Sequence, residues 1–172
     1  MEQQAIIDSV CSATAEIFST MLSLEATPDQ FRTANACPTV QDGVMSFVSL
    51  DGLWVGTGVM TCTSTVACRL CAAFLMLPEV PAINEEVLDC IGELTNMVIG
   101  NFKNDAESLL GPLRLGVPTV ICGKHFTSRC LGGNDWLIMP FHCGEDIFEI
   151  QICLRQATAD SVPRRHATVI GI

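Results

Sequence analysis

Residues 84–107 read NEEVLDCIGELTNMVIGNFKNDAE, the middle of one long amphipathic helix predicted over roughly Ile83 to Leu110. Advancing about 100° per residue from Glu93 groups Val87, Ile91, Leu94, Val98, Phe102 and Leu109 into a core stripe. Glu86, Asp89, Glu93, Asn96, Gly100 and Lys103 fall on the opposite, solvent side. Glu93 and Asn96 are neighbours one turn apart on that side. Asn is a mediocre helix former, because its amide competes for backbone groups. Gly inside a helix costs about 1 kcal/mol against Ala, yet Gly92 and Gly100 bracket the pair. A glycine on an exposed face removes side-chain bulk and lets another molecule approach. A plain solvated face explains Glu and Lys, but not the Asn and Gly.

Outward from this helix the chain alternates in character. A first helix runs from about Glu2 to Leu22, with Ile6, Val10, Ala13, Ile17 and Met21 at helical spacing, and "ATPDQFR" ends it. "GVMSFVSL" and "LWVGTGVMTC" form a hairpin, with Asp51-Gly52 as its two-residue turn. A short helix spans about Ser64 to Met76, with Ser64 or Thr65 as N-cap, and "LPEVPA" breaks it. After the long helix come strand candidates: "RLGVPTVICG", where Pro118 marks an edge or irregular position, then "HFTSRCL", "DWLIMPFHC" and "IFEIQICLR". The order predicts an α+β domain with an antiparallel sheet and helices on it, over residues 1–155. Residues 156–172 form a tail in which "ATVIGI" offers a short extra strand. "ATAEIFSTML" faintly echoes "CIGELTNMVI", aligning Glu16 with Glu93 and Ser19 with Asn96. An ancient two-fold repeat and chance both explain so weak a match.

The 172 residues are 49% apolar and 16% charged, which suits a single folded domain. A net charge of −10 opposes a nucleic-acid partner, and Arg155, Arg164 and Arg165 are too few to reverse it. No apolar run reaches about 18 residues and the acidic N-terminus does not read as an export signal, so the expectation is a cytoplasmic protein without a membrane span. Ten cysteines in apolar segments read as reduced, mostly buried thiols. Cys68-x-x-Cys71 lacks a second pair at metal-site spacing, so a thiol-based metal or redox role is the weaker alternative. His125, His142 and His166 show no metal-ligand spacing.

The helix Glu93-Leu-Thr-Asn96, followed by Gly100 and Lys103, resembles the CheC/CheX/FliY family of chemotaxis phosphatases, and is most similar to CheX. "GVPTVICGKHF", "LIMPFHC" and "FEIQICL" extend the resemblance, with His125 at a structural position. The resemblance implies a CheC-like pseudo-two-fold domain, two long helices and a shorter one packed on an antiparallel sheet. It implies a partner, a CheY-like response regulator phosphorylated on aspartate, and a homodimer paired through the sheets. Glu93 and Asn96 would be the catalytic pair, Glu93 docking on a Lys beside the phosphoaspartate and Asn96 placing a water. Gly100 and Lys103 would bind the partner. The chain would need no cofactor of its own, with Mg2+ supplied by the regulator's site. Ser19 stands where a two-site member has its first Asn, so one working site per chain is expected. A non-catalytic regulator-binding or adaptor module of the same fold is the alternative.

Overall fold

The computed structural model describes residues 2–35, 39–127 and 135–157, with side chains left aside for residues 2, 39–41 and 125–127. Helix α1 spans Glu2–Ile17 and passes into a π-helical turn, Phe18–Leu22. Ser23 ends it in the left-handed region (φ 56°), its N–H donating to the Phe18 carbonyl. The wider turn shifts the buried stripe by one residue. Leu22 is buried where regular α-helical spacing expects Met21, which is 41% exposed. Gln3–Leu22 is long and apolar enough to cross a bilayer by length and composition only, a test that core helices also pass. Here Ile6, Ile7, Val10, Ala13, Phe18 and Leu22 are packed in the protein core.

Two short edge strands follow that the sequence reading passed over, β1 (Thr27–Pro28) and β2 (Arg32–Ala34). Then come β3 (Thr39–Gly52), β4 (Trp54–Cys62), α2 (Ser64–Phe74) and α3 (Glu85–Leu110). The chain ends in β5 (Leu113–Leu115), β6 (Thr119–Thr127), β7 (Trp136–Cys143) and β8 (Asp146–Gln156). The N-cap of α2 is Thr63, whose Oγ1 accepts from the Val66 N–H at 3.3 Å, rather than Ser64 or Thr65. The β3–β4 hairpin exists, but its turn is not at Asp51-Gly52. Leu50 pairs with Gly56, while Asp51 and Gly52 stay in β3 and pair with Arg114 and Leu113 of β5. A Cβ on Gly52 would lie 2.2 Å from the Pro112 carbonyl oxygen, so the glycine serves the approach of a neighbouring backbone. "RLGVPTVICG" is two strands, interrupted at Gly116-Val117-Pro118, and "HFT" continues β6 instead of starting another. Residues 128–134 and the 158–172 tail lie outside the described residues.

All strands pair antiparallel in one sheet, β1–β7–β8–β4–β3–β5, with β2 also on β7 and β6 also on β3. The order reveals the repeat. Exchanging α1, β1–β4 for α3, β5–β8 maps the sheet onto itself about the central β4–β8 pair. Each half lends its edge strands to the other half: β1 and β2 hydrogen-bond β7, while β5 and β6 hydrogen-bond β3. The pseudo-two-fold α+β fold is thus present in the topology.

Period-two alternation sorts the strand side chains onto two faces. Val44, Leu50, Met60, Cys62, Phe141, Phe148, Ile150 and Ile152 join all three helices in one core. Met45, Val59, Trp136 and Ile138 form a second, smaller cluster on the other face. In the main core the Phe148 ring stacks between Phe18 (4.5 Å) and Phe141 (5.3 Å). Phe148 sits on the central strand β8 and clasps the end of the first helix. Phe148→Ala should therefore cost about 3–5 kcal/mol, read as a lowered denaturation midpoint, with Phe148→Leu losing substantially less.

Candidate functional site

Helix α3 begins where the chemistry of its first residues requires. Asn84 is extended, and its Oδ1 accepts from the Val87 N–H at 2.9 Å, while Glu85 and Glu86 lie in the positive first turn. It ends at Gly111 (φ 76°), which donates to the Glu107 carbonyl. Val87, Ile91, Leu94, Val98 and Phe102 are buried as expected. Leu109 is not: it is 46% exposed, and Leu110 is the buried leucine of the last turn. The chain reverses at Gly111 and β5 packs back on α3, so the neighbour of this turn is β5 rather than the middle of the sheet.

The site residues follow from this burial. Glu93 is exposed; Asn96 and Gly100 are half-buried, all on the side turned from the sheet. Among the described residues neither the Glu93 carboxylate nor the Asn96 amide has a hydrogen-bonding or ionic partner within the chain. Their Cβ atoms stand about 5–6 Å apart, as i,i+3 neighbours do. Lys103 differs. Its Nζ lies 2.7 Å from Glu107 Oε1, and the same oxygen accepts the Leu113 N–H at 3.2 Å. The Lys103 bond, then the Leu113 N–H, hold the Glu107 carboxyl below its usual range. Lys103 thus ties the end of α3 to the start of β5.

The two glycines separate in role. A Cβ on Gly92 would meet Val120 Cγ2 at 3.1 Å, with Pro118 at 4.0 Å, so Gly92 is where β6 packs closely against α3. A Cβ on Gly100 would touch only Leu115 Cδ2, at an ordinary 3.8 Å. Nothing within the fold demands glycine at position 100.

The corresponding place on α1 is exposed, but its polar groups have partners within the chain. Asn101 Nδ2 donates to Glu16 Oε2 at 2.9 Å, and Ser19 Oγ donates to the Glu16 carbonyl at 3.0 Å. Ser19 also lies inside the π-helical turn. The engagement of Glu16 by Asn101 is a signal no sequence pattern carried.

The remaining candidates resolve by position. In the Cys68-x-x-Cys71 pair, Cys71 Sγ lies 3.3 Å from Cys90 Sγ of α3, while Cys68 is near Cys62 and Cys122 as well as Cys71. Cys11, Cys62, Cys68, Cys71, Cys90, Cys122 and Cys143 are free thiols. No metal-ligand cluster occurs among the described residues. His142 is at the end of β7, its Nε2 3.1 Å from Asp29 Oδ2. The His125 side chain and His166 lie outside the described residues.

Comparison with known proteins places the architecture first. The fold is that of the CheC-like proteins: a CheC-like superfamily protein from Shewanella sp. PV-4 is 25% identical, with a TM-score of 0.77 over 88% of this chain and 97% of that one. Chemotaxis protein CheX from Vibrio vulnificus is 27% identical, with a TM-score of 0.74 over 87% and 99%. A CheX–CheY–BeF3–Mg2+ complex from Borrelia burgdorferi shares the fold at 19% identity and a TM-score of 0.68, over 87% and 97%. Residues 44–142 match the family described as chemotaxis phosphatase CheX. The chain belongs to the CheX family. No protein of curated function matches it in sequence.

Burial, with the neighbouring Cys68 and Cys122 adding to it, pushes the Cys62 thiol up to about 12, and burial followed by the Cys71 bond does the same for Cys90. Both stay protonated through neutral pH, and the thiolate is the reactive form. Brief alkylation of the native protein at pH 8 should label exposed Cys122 well before Cys62 or Cys90, as read by peptide mass mapping.

Proposed function

We propose that this protein accelerates hydrolysis of the phosphoaspartate of a CheY-like response regulator, through Glu93 and Asn96. The observation that carries the reading is a carboxylate and a carboxamide on adjacent turns of α3, both unengaged within the chain and facing outward. Family membership supports the chemistry. The Borrelia relative, seen with CheY, BeF3 and Mg2+, supports the partner class.

The geometry suits the reaction. A water oxygen attacks phosphorus, the bond from phosphorus to the aspartyl oxygen breaks, and inorganic phosphate leaves with the carboxylate restored. Such a transfer depends on in-line placement and charge stabilisation more than on covalent help. The Asn96 amide offers one acceptor and two donors, enough to hold a water in line. It is neutral, so the phosphoryl oxygens do not repel it. Placement of this kind can remove several kcal/mol of barrier, of the roughly 7–11 available from full orientation. Glu93, one turn earlier, pairs with the regulator's lysine and sets the register. Gly100 keeps the next turn low against the regulator's loops. Lys103, with its Glu107 partner, forms the edge of the contact. Magnesium belongs to the regulator's acidic pocket and not to this chain.

One site works per chain, because Glu16 and Ser19 are committed to contacts within the fold. A homodimer paired through the sheets belongs to the same reading. Free thiols suit a reducing cytoplasm, where response regulators are phosphorylated.

The deciding experiment follows loss of labelled phosphate from a receiver domain phosphorylated on aspartate. Wild type should accelerate it, and Asn96→Ala should lose roughly 100-fold or more of kcat while still binding. Glu93→Gln should act mainly on KM. Equal turnover by Asn96→Ala, or no acceleration by wild type, returns the chain to a non-catalytic regulator-binding module. Gly100→Ala should raise fold stability by about 1 kcal/mol and yet raise KM. A glycine kept for the fold would give the opposite stability change.

A further inference from the structure

Beside Glu93 the surface dips only slightly. An open groove runs between the end of α2 and the first half of α3, lined by Phe74, Leu75, Glu85, Glu86, Asp89, Cys90 and Glu93. Phe74, Leu75 and Cys90 are its apolar lining, and the four acids of α3 its charged lining. No basic residue lines it. Among the described residues none of the four acids takes part in an ion pair or side-chain hydrogen bond. Glu85 and Glu86 have a second use, since acids favour the first turn of a helix. Asp89 and Glu93 lie beyond that turn and have no such use.

A second observation adjoins the groove. The helix α2 closes with Leu77 N–H on the Ala72 carbonyl at 2.8 Å and Met76 N–H on the Ala73 carbonyl at 3.2 Å. This closure puts Met76 in the left-handed region (φ 54°), the place where glycine is favoured. Met76 is nevertheless a long apolar side chain, 91% exposed, next to groove residues Phe74 and Leu75. Leu77 beside it is 44% exposed. Neither backbone conformation nor burial favours methionine there. Methionine does suit adaptable contact with a partner.

We propose that this groove is the recognition surface for the response regulator, seating an element of it that presents lysine or arginine beside apolar side chains. The proposal rests on the phosphatase reading, which already brings a regulator against Glu93 at one end of the groove. The carboxylates supply charge complementarity and set the approach. Phe74, Leu75 and Met76 supply the apolar contact. The groove thereby selects among regulators that share the same phosphoaspartate chemistry, since specificity is a difference between affinities built outside the reacting atoms. Asp89 and Met76 are recognition residues and take no part in the transfer.

The test uses the full chain and 32P-labelled receiver domains from the source organism. Asp89→Lys should raise KM by roughly three- to tenfold and flatten its dependence on salt, with kcat unchanged. Met76→Gly should raise KM about two- to threefold while the thermal midpoint rises. Asp105→Lys makes the same charge change on an exposed position of α3 outside the groove, and should leave KM unaltered. If wild type turns over the phosphoregulator while Asp89→Lys and Met76→Gly match it in KM and salt dependence, the groove is not the recognition surface and the phosphatase reading stands. If Asp105→Lys changes KM as much as Asp89→Lys, only overall charge is being read and the proposal is overturned. If wild type has no activity on any receiver domain, the phosphatase reading fails and this proposal fails with it.

Discussion

The packing of α3 across the sheet fixes nearly everything else. Ile99 of α3 sits so close to β4 that a Cβ on Gly58 would come within 2.6 Å of its Cδ1. Gly92 permits the matching approach of β6 through Val120. With the helix pressed into the sheet at these points, its rotation about its own axis is set. Val87, Ile91, Leu94, Val98 and Phe102 must face inward. Glu93, Asn96 and Gly100 must then face out. The same contact that buries the apolar stripe presents the polar pair on the opposite side of one element.

The exchange of edge strands explains why the two halves form one body. Neither half completes its own side of the sheet, because β2 finishes β7 and β6 finishes β3. Long-range pairing of this kind ties the N-terminal and C-terminal halves into a single cooperative core. It also frees the helices to diverge. α3 keeps an unengaged Glu and Asn, whereas in α1 Glu16 is bonded to Asn101 and the helix widens at Ser19. In a symmetric frame, the two helices can present different surfaces.

Several local misreadings share one cause. Asp51-Gly52 has the composition of a tight turn, and in isolation that chemistry favours one. Here β5 lies alongside, and Gly52 serves the Pro112 carbonyl instead. Met21 and Leu109 fit regular helical spacing, yet a π-helical turn and the return of β5 move burial to Leu22 and Leu110. In each case a neighbour distant in sequence overrode a correct local preference.

The sequence by itself determined the element order, the α+β class, the apolar stripe of α3 and the outward position of Glu93 and Asn96. These depend on periods of 3.6 and 2 and on helix-capping chemistry, which act within a few residues. Tertiary structure alone decided the strand exchange, the contact of Cys71 with Cys90, the bond from Asn101 to Glu16 and the different surroundings of the two glycines. It also decided that Met76 and the acids of α3 border one groove. Those features join residues far apart in the chain, and only the packing of α3 on the sheet brings them together.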